Sequence, residues 1–86
     1  MEVKLKLLNE EGMHARPAGV LVKQVSKFQS KIELSYNGKT ANAKSLLSIM
    51  SLGLTANAEF TAKAEGNDAE LALKSIAEIV QNKFQV

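Results

Sequence analysis

Asn37-Gly38 stands between Ile32, Leu34 and Tyr36, which alternate with Lys31, Glu33 and Ser35, and a further short segment from Lys39 to Ala43. Both residues of that dipeptide tolerate positive φ, as a two-residue turn between right-twisted antiparallel strands requires. A hairpin therefore sits near the middle of the chain, and every other element has to be arranged around it.

On either side of the hairpin the apolar spacing switches between two periods. Val3, Leu5 and Leu7 alternate with Lys4 and Lys6, so the segment from Val3 to Leu8 reads as a strand with one wet, basic side. Asn9 to Met13 is short, polar and contains Gly12, and reads as a loop. Ala18, Leu21, Val22, Val25 and Phe28 then fall on one stripe of a helix, with Arg16, Lys23 and Lys27 opposite. After the hairpin, Ser45 has the hydroxyl side chain of a helix cap and Gly53 suits a left-handed end, which leaves a helix of about two turns. Leu46, Ile49 and Leu52 form one stripe on that helix, while Leu47 and Met50 lie off its centre and leave apolar surface uncovered. Ala58, Phe60, Ala62 and Ala64 alternate with polar residues as a fourth strand. Asn67 or Asp68 caps a last helix, whose core positions are Leu71 or Ala72, Ile76, Ile79 or Val80, and Phe84.

The order strand, helix, strand, strand, helix, strand, helix is two split strand-helix-strand units joined by a hairpin. Its simplest packing is an α+β fold with the helices on one face of an antiparallel sheet. No linker, low-complexity tract or internal repeat divides the 86 residues, so residues 1–86 are expected to form one domain. Without cysteine there is no disulfide framework or thiolate zinc site, and one histidine cannot build a multi-histidine metal cluster. The formal charge of +2 is too mild and dispersed to argue for nucleic acid. No apolar run approaches the roughly 20 residues of a membrane span, and the amino terminus lacks a secretory signal, so the expected location is the cytoplasm.

Chemistry concentrates around that histidine. Gly12-Met13-His14-Ala15-Arg16-Pro17-Ala18 places His14 at the start of the first helix, with Pro17 in the first turn, where a missing N–H costs nothing. The backbone N–H groups of such a turn and the positive end of the helix dipole suit an anion, and Arg16 adds a charge-assisted fork of donors. A phosphate is the natural occupant. At that position a ring nitrogen of His14 is a candidate nucleophile. An ordinary polar cap is the bland alternative. Hydrolysis would want a second partner such as an acid, a base or a metal set, whereas a carrier that accepts a group and hands it on needs less machinery.

These residues resemble the HPr family, the histidine-containing phosphocarrier proteins of the bacterial phosphoenolpyruvate-dependent sugar phosphotransferase system. The stretch from Gly12 to Ala18 looks like the family's active-site motif. Asn42-Ala43-Lys44-Ser45-Leu46-Leu47-Ser48-Ile49-Met50-Ser51-Leu52-Gly53-Leu54 looks like its second signature, and the likeness extends over essentially the whole chain.

The resemblance implies an α+β open-faced β-sandwich, a four-stranded antiparallel sheet covered on one face by three helices, and a phosphoprotein that is a stoichiometric carrier rather than an enzyme and uses no cofactor or metal. His14 would take a phosphoryl group from phosphorylated enzyme I on Nδ1 and pass it to a histidine of sugar-specific enzyme IIA domains. Arg16 and the Ala15 backbone N–H would hold the phosphate. Ser45 matches a regulatory serine that a dedicated kinase phosphorylates in some bacteria, which adds a serine kinase and phosphatase and transcriptional regulators to the implied partners. Leu46, Leu47 and Met50, with Val20 and Lys23 of the first helix, would form the docking surface, although Leu46 also fits a partly buried core position. A shuttle that shows one histidine to successive partners is easiest as a monomer. Two other readings share these residues: a mainly regulatory protein-binding module switched at Ser45, and the nitrogen-regulating paralogue of the carrier. Glu11 replaces the family's usual small hydroxyl or amide residue and is expected to turn outward. Gly19 stands inside the helix where Thr or Ala is common, which costs on the order of 1 kcal/mol but leaves room for a partner.

Overall fold

The computed structural model describes residues 1–10 and 12–84. Its elements are β1 (Glu2–Lys6), α1 (Ala15–Val25), β2 (Lys31–Tyr36), β3 (Lys39–Asn42), α2 (Leu46–Ser51), β4 (Glu59–Glu65) and α3 (Ala69–Gln81). The strands form one antiparallel sheet in the order β1-β4-β2-β3. Each split unit thus has one strand of the other unit inserted between its own two, and three helices cover one side, as the spacing of apolar residues predicts.

The hairpin forms as expected, with Asn37 at φ 52° and Gly38 at φ 81°, the pair of left-handed residues such a turn needs. Ile32, Leu34, Ala41, Phe60, Ala62 and Ala64 point into the core beneath the helices. On the open face charges alternate across the strands: Glu2 is opposite Lys63 and Lys63 opposite Glu33, with Lys6 opposite Glu59 and Lys31 opposite Glu65. Opposite-charge neighbours of this kind support the register rather than strain it.

Several boundaries differ from the sequence reading. β1 stops at Lys6, and the buried Leu7 instead donates to the Ala58 carbonyl and accepts from Asn57 N, each at 2.8 Å. α1 ends at Val25, so Phe28 packs half-buried from beyond the helix. On α2, Ile49 is core, as is Leu52 at the C-cap, but Leu46 is 42% exposed, because a helix of six residues buries only one narrow side. On α3, Ala72 and both Ile79 and Val80 are buried, while Leu71 faces out.

Phe84 is the clearest correction. It is fully buried, yet it is not on the helix: α3 ends at Gln81, and Lys83 and Phe84 both turn left-handed at φ 55° and 61°. Phe84 N closes this turn onto the Ile79 carbonyl at 2.9 Å. The ring gains its place in the core by reversing the chain rather than by continuing the stripe.

Asp68 occupies the cap position of α3 as expected but makes no side-chain cap bond. Its carboxylate accepts from the backbone N–H groups of Gln29 at 2.8 Å and Ser30 at 2.9 Å and from the Ser30 hydroxyl, tying the α1–β2 loop to the start of α3.

Candidate functional site

His14 is the N-cap of α1, with extended backbone at φ −110° and ψ −165°, and its carbonyl accepts from Ala18 N at 3.0 Å. Its ring is half-buried and makes no cap bond to the helix. The leading N–H groups of a helix have no acceptor within it, and Ala15, exposed at the first helical position, supplies one of them. Pro17 is buried one residue past Arg16, in the turn where the helix asks no N–H of it.

The loop before the histidine is fixed from the α2 side. Met13 donates its N–H to the Leu54 carbonyl at 3.0 Å, and its side chain is only 6% exposed. Gly12 lies at φ 72°, and a Cβ there would stand 2.9 Å from the Leu54 oxygen and 3.1 Å from Thr55 Cα. Glycine is required at this position both by conformation and by closeness. Glu11, expected to turn outward, lies outside the described residues.

Arg16 extends toward the far end of the chain, where Nη1 donates to the Phe84 carbonyl oxygen at 3.4 Å. The left-handed turn after α3 therefore presents a backbone acceptor to the first turn of α1, an arrangement that α3 periodicity could not have signalled.

Ser45 caps α2 as its residue type predicts, with Oγ accepting from Ser48 N at 3.3 Å. Beside it, Lys44 Nζ donates to the Phe28 carbonyl at 2.7 Å. That bond sets the start of α2 near the end of α1, while the Met13 bond to Leu54 sets the end of α2 near the start of α1. The two helices pack side by side, with Ser45 and His14 at opposite ends of the surface they share. Between those ends Leu47 is 78% exposed, Leu46 42% and Met50 39%. On α1, Lys23 is exposed and Val20 half-buried against the core. Gly19 has open space where a Cβ would be.

The PTS-HPr family model, described as the PTS HPr component phosphorylation site, matches residues 1–82. HPr-C-His from Thermoanaerobacter tengcongensis is 40% identical, with a TM-score of 0.95 over 98% of this chain and 94% of its own. The phosphocarrier protein HPr of Bacillus anthracis is 37% identical, with a TM-score of 0.90 over 94% of this chain and 96% of its own. Crh, a catabolite repression protein of Bacillus subtilis described as a domain-swapped dimer, is 34% identical with a TM-score of 0.79, covering 95% of this chain and 94% of its own. Among the described residues no helix is long and apolar enough to cross a membrane. The chain belongs to the HPr family of phosphocarrier proteins of the phosphotransferase system.

Proposed function

We propose that residues 1–86 act as one carrier unit in which His14 accepts a phosphoryl group from phosphorylated enzyme I and passes it to a histidine of sugar-specific enzyme IIA domains. The carrying observation is the place of His14: an N-cap whose ring is not used as the cap, at the positive end of α1. In each transfer the phosphorus–nitrogen bond to the donor histidine breaks as a phosphorus–nitrogen bond to the acceptor forms. His14 Nδ1 is the acceptor in the first step and the leaving nitrogen in the second. The Ala15 N–H and the Arg16 guanidinium stabilise the phosphate oxygens by charge-assisted hydrogen bonds. No hydrolytic base is needed, because the group leaves only to another histidine. The carrier works in the cytoplasm as a monomer that binds each partner briefly.

Leu46, Leu47 and Met50, with Val20 and Lys23, form the docking surface. Its exposed leucines have the apolar character of an interface core, and Lys23 supplies steering charge at the rim. Ser45 is the regulatory phosphorylation site, addressed by a serine kinase and phosphatase and read by transcriptional regulators that use the same surface. The likeness to Crh supports a share in catabolite regulation beside transport.

The deciding experiment adds phosphoenolpyruvate and a catalytic amount of enzyme I to the wild type and to His14→Ala and records phosphorus NMR spectra. A phosphohistidine signal in the wild type alone is expected. Its absence from both proteins, or its presence in both, rejects the carrier reading. If binding at the α2 surface is instead the main function, a pull-down of regulators will respond to Ser45→Asp and Met50→Ala while the histidine stays unlabelled.

A further inference from the structure

The loop between β1 and α1 contains a buried amide with an unmade hydrogen bond. Asn9 is 4% exposed, and its Nδ2 donates to the Gly12 carbonyl at 2.8 Å. Its Oδ1 is shut away from solvent and has no partner among the described residues. A buried acceptor left in this state opposes folding, so stability alone does not account for an amide here. What the amide does accomplish is local. The Gly12 carbonyl and the Met13 N–H belong to one rigid peptide plane. Asn9 holds the carbonyl end of that plane, and the Leu54 carbonyl holds the N–H end at 3.0 Å. The Asn9 carbonyl also accepts from Gly12 N at 3.3 Å, closing the loop on itself.

A plane held at both ends cannot rotate, and the residue after Met13 is His14. Gly12 is the residue at which such rotation would otherwise be easiest, since glycine has the widest backbone freedom. We infer that Asn9 is a positioning residue for phosphoryl transfer: its side-chain amide locks the Gly12–Met13 peptide and so fixes the direction in which His14 leaves the loop. The transfer part of this inference rests on the carrier reading above, whereas the locking part does not.

The test compares the full-length wild type with Asn9→Leu, which keeps a branched side chain of similar outline and removes both polar atoms. Asn9→Ala is run beside it in case the larger side chain prevents folding. Hydrogen exchange at the Met13 amide is expected to quicken by about ten-fold, the equivalent of roughly one hydrogen bond. The His14 ring resonances are expected to shift, while the urea midpoint moves little, because the variant removes one orphaned acceptor, Asn9 Oδ1, and leaves another, the Gly12 carbonyl. The rate of phosphoryl uptake from phosphorylated enzyme I should fall by about ten-fold as well, since misplacing a reacting group costs rate without costing stability. Wild-type values for both Met13 exchange and the His14 resonances overturn the inference. So does a loss of transfer that follows a loss of stability in both variants with the His14 resonances unmoved. If the wild type itself takes up no phosphoryl group, the carrier reading fails, and Met13 exchange with the His14 resonances still decides whether Asn9 locks the loop.

Discussion

Arg16 Nη1 and the Phe84 carbonyl oxygen are 3.4 Å apart, so the arginine two places after the histidine is joined to the turn that ends α3. The guanidinium carries five donors in a planar fork, a geometry suited to phosphate oxygens. The bond ties the side chain to the turn that follows α3.

Arg16→Ala is therefore expected to slow phosphoryl uptake by about ten- to a hundred-fold, the equivalent of one charge-assisted hydrogen bond. The urea midpoint should change little, because Arg16 is an exposed residue and surface substitutions cost little. Arg16→Lys should recover part of the rate, since it keeps the charge and loses the fork. Rapid-quench measurement of phosphohistidine checks both; a rate in Arg16→Ala equal to the wild type would remove the residue from phosphate handling.

Asp68 ties the α1–β2 loop to α3, and the Ser30 hydroxyl first, then the Gln29 N–H, hold its carboxyl below the ordinary aspartate value. A group whose folded pKa is depressed lends stability that is whole above its unfolded pKa, about 3.9 for aspartate, and is lost as pH falls through the folded value. Urea unfolding at neutral pH and in acid should show this loss in the wild type. Asp68→Asn should be less stable at neutral pH and should lose less on acidification. Parallel pH profiles for the two proteins would show that the carboxylate does not stabilise this junction.

Two glycines predict opposite results for the same substitution. Gly66 lies at φ 144°, and a Cβ there would stand 2.6 Å from Ser30 Oγ and 2.8 Å from Ser30 Cα. Gly66→Ala should cost about 2 kcal/mol or more through strain and displacement of the Ser30 contact. Gly19 sits inside α1 with nothing near its missing Cβ, so Gly19→Ala should add about 0.5–1 kcal/mol by helix propensity. Denaturant midpoints for the pair give the signs directly, and equal signs would contradict one of the two accounts.

Leu47 is 78% exposed on a helix whose other side holds the core residue Ile49. Leu47→Asp should leave stability within about 0.5 kcal/mol of the wild type, as surface substitutions do, while weakening enzyme I and enzyme IIA binding by about ten-fold or more if Leu47 is an interface anchor. Titration calorimetry on the variant and on Met50→Ala measures this. Unchanged affinity in both would move the docking surface away from α2.

Much of the fold was legible because it follows from local rules. Alternation at period two, the Asn37-Gly38 turn and the Ser45 cap each act within a few residues, and the left-handed Gly53, at φ 71°, follows α2 as expected. The site motif was legible for a similar reason, since His14, Ala15, Arg16 and Pro17 are consecutive and begin one helix. Phe84 was misplaced because an apolar residue at helical spacing looks the same whether the helix continues to it or the chain doubles back. Asp68 was legible as a cap by type, but its preferred donors come from Gln29 and Ser30, 39 and 38 residues away in sequence.

By itself the sequence determined the elements, their order and the residues at the start of α1, because propensity, turn chemistry and hydrophobic period are properties of neighbouring residues. Tertiary structure decided which distant groups meet: Arg16 with the Phe84 carbonyl, Asp68 with Ser30, and Met13 with Leu54. It also decided that Asn9 is enclosed while one of its polar atoms has no partner among the described residues. A hydrogen bond between segments far apart in the chain depends on where packing brings their backbones, to within a few tenths of an ångström, and no local pattern carries that information.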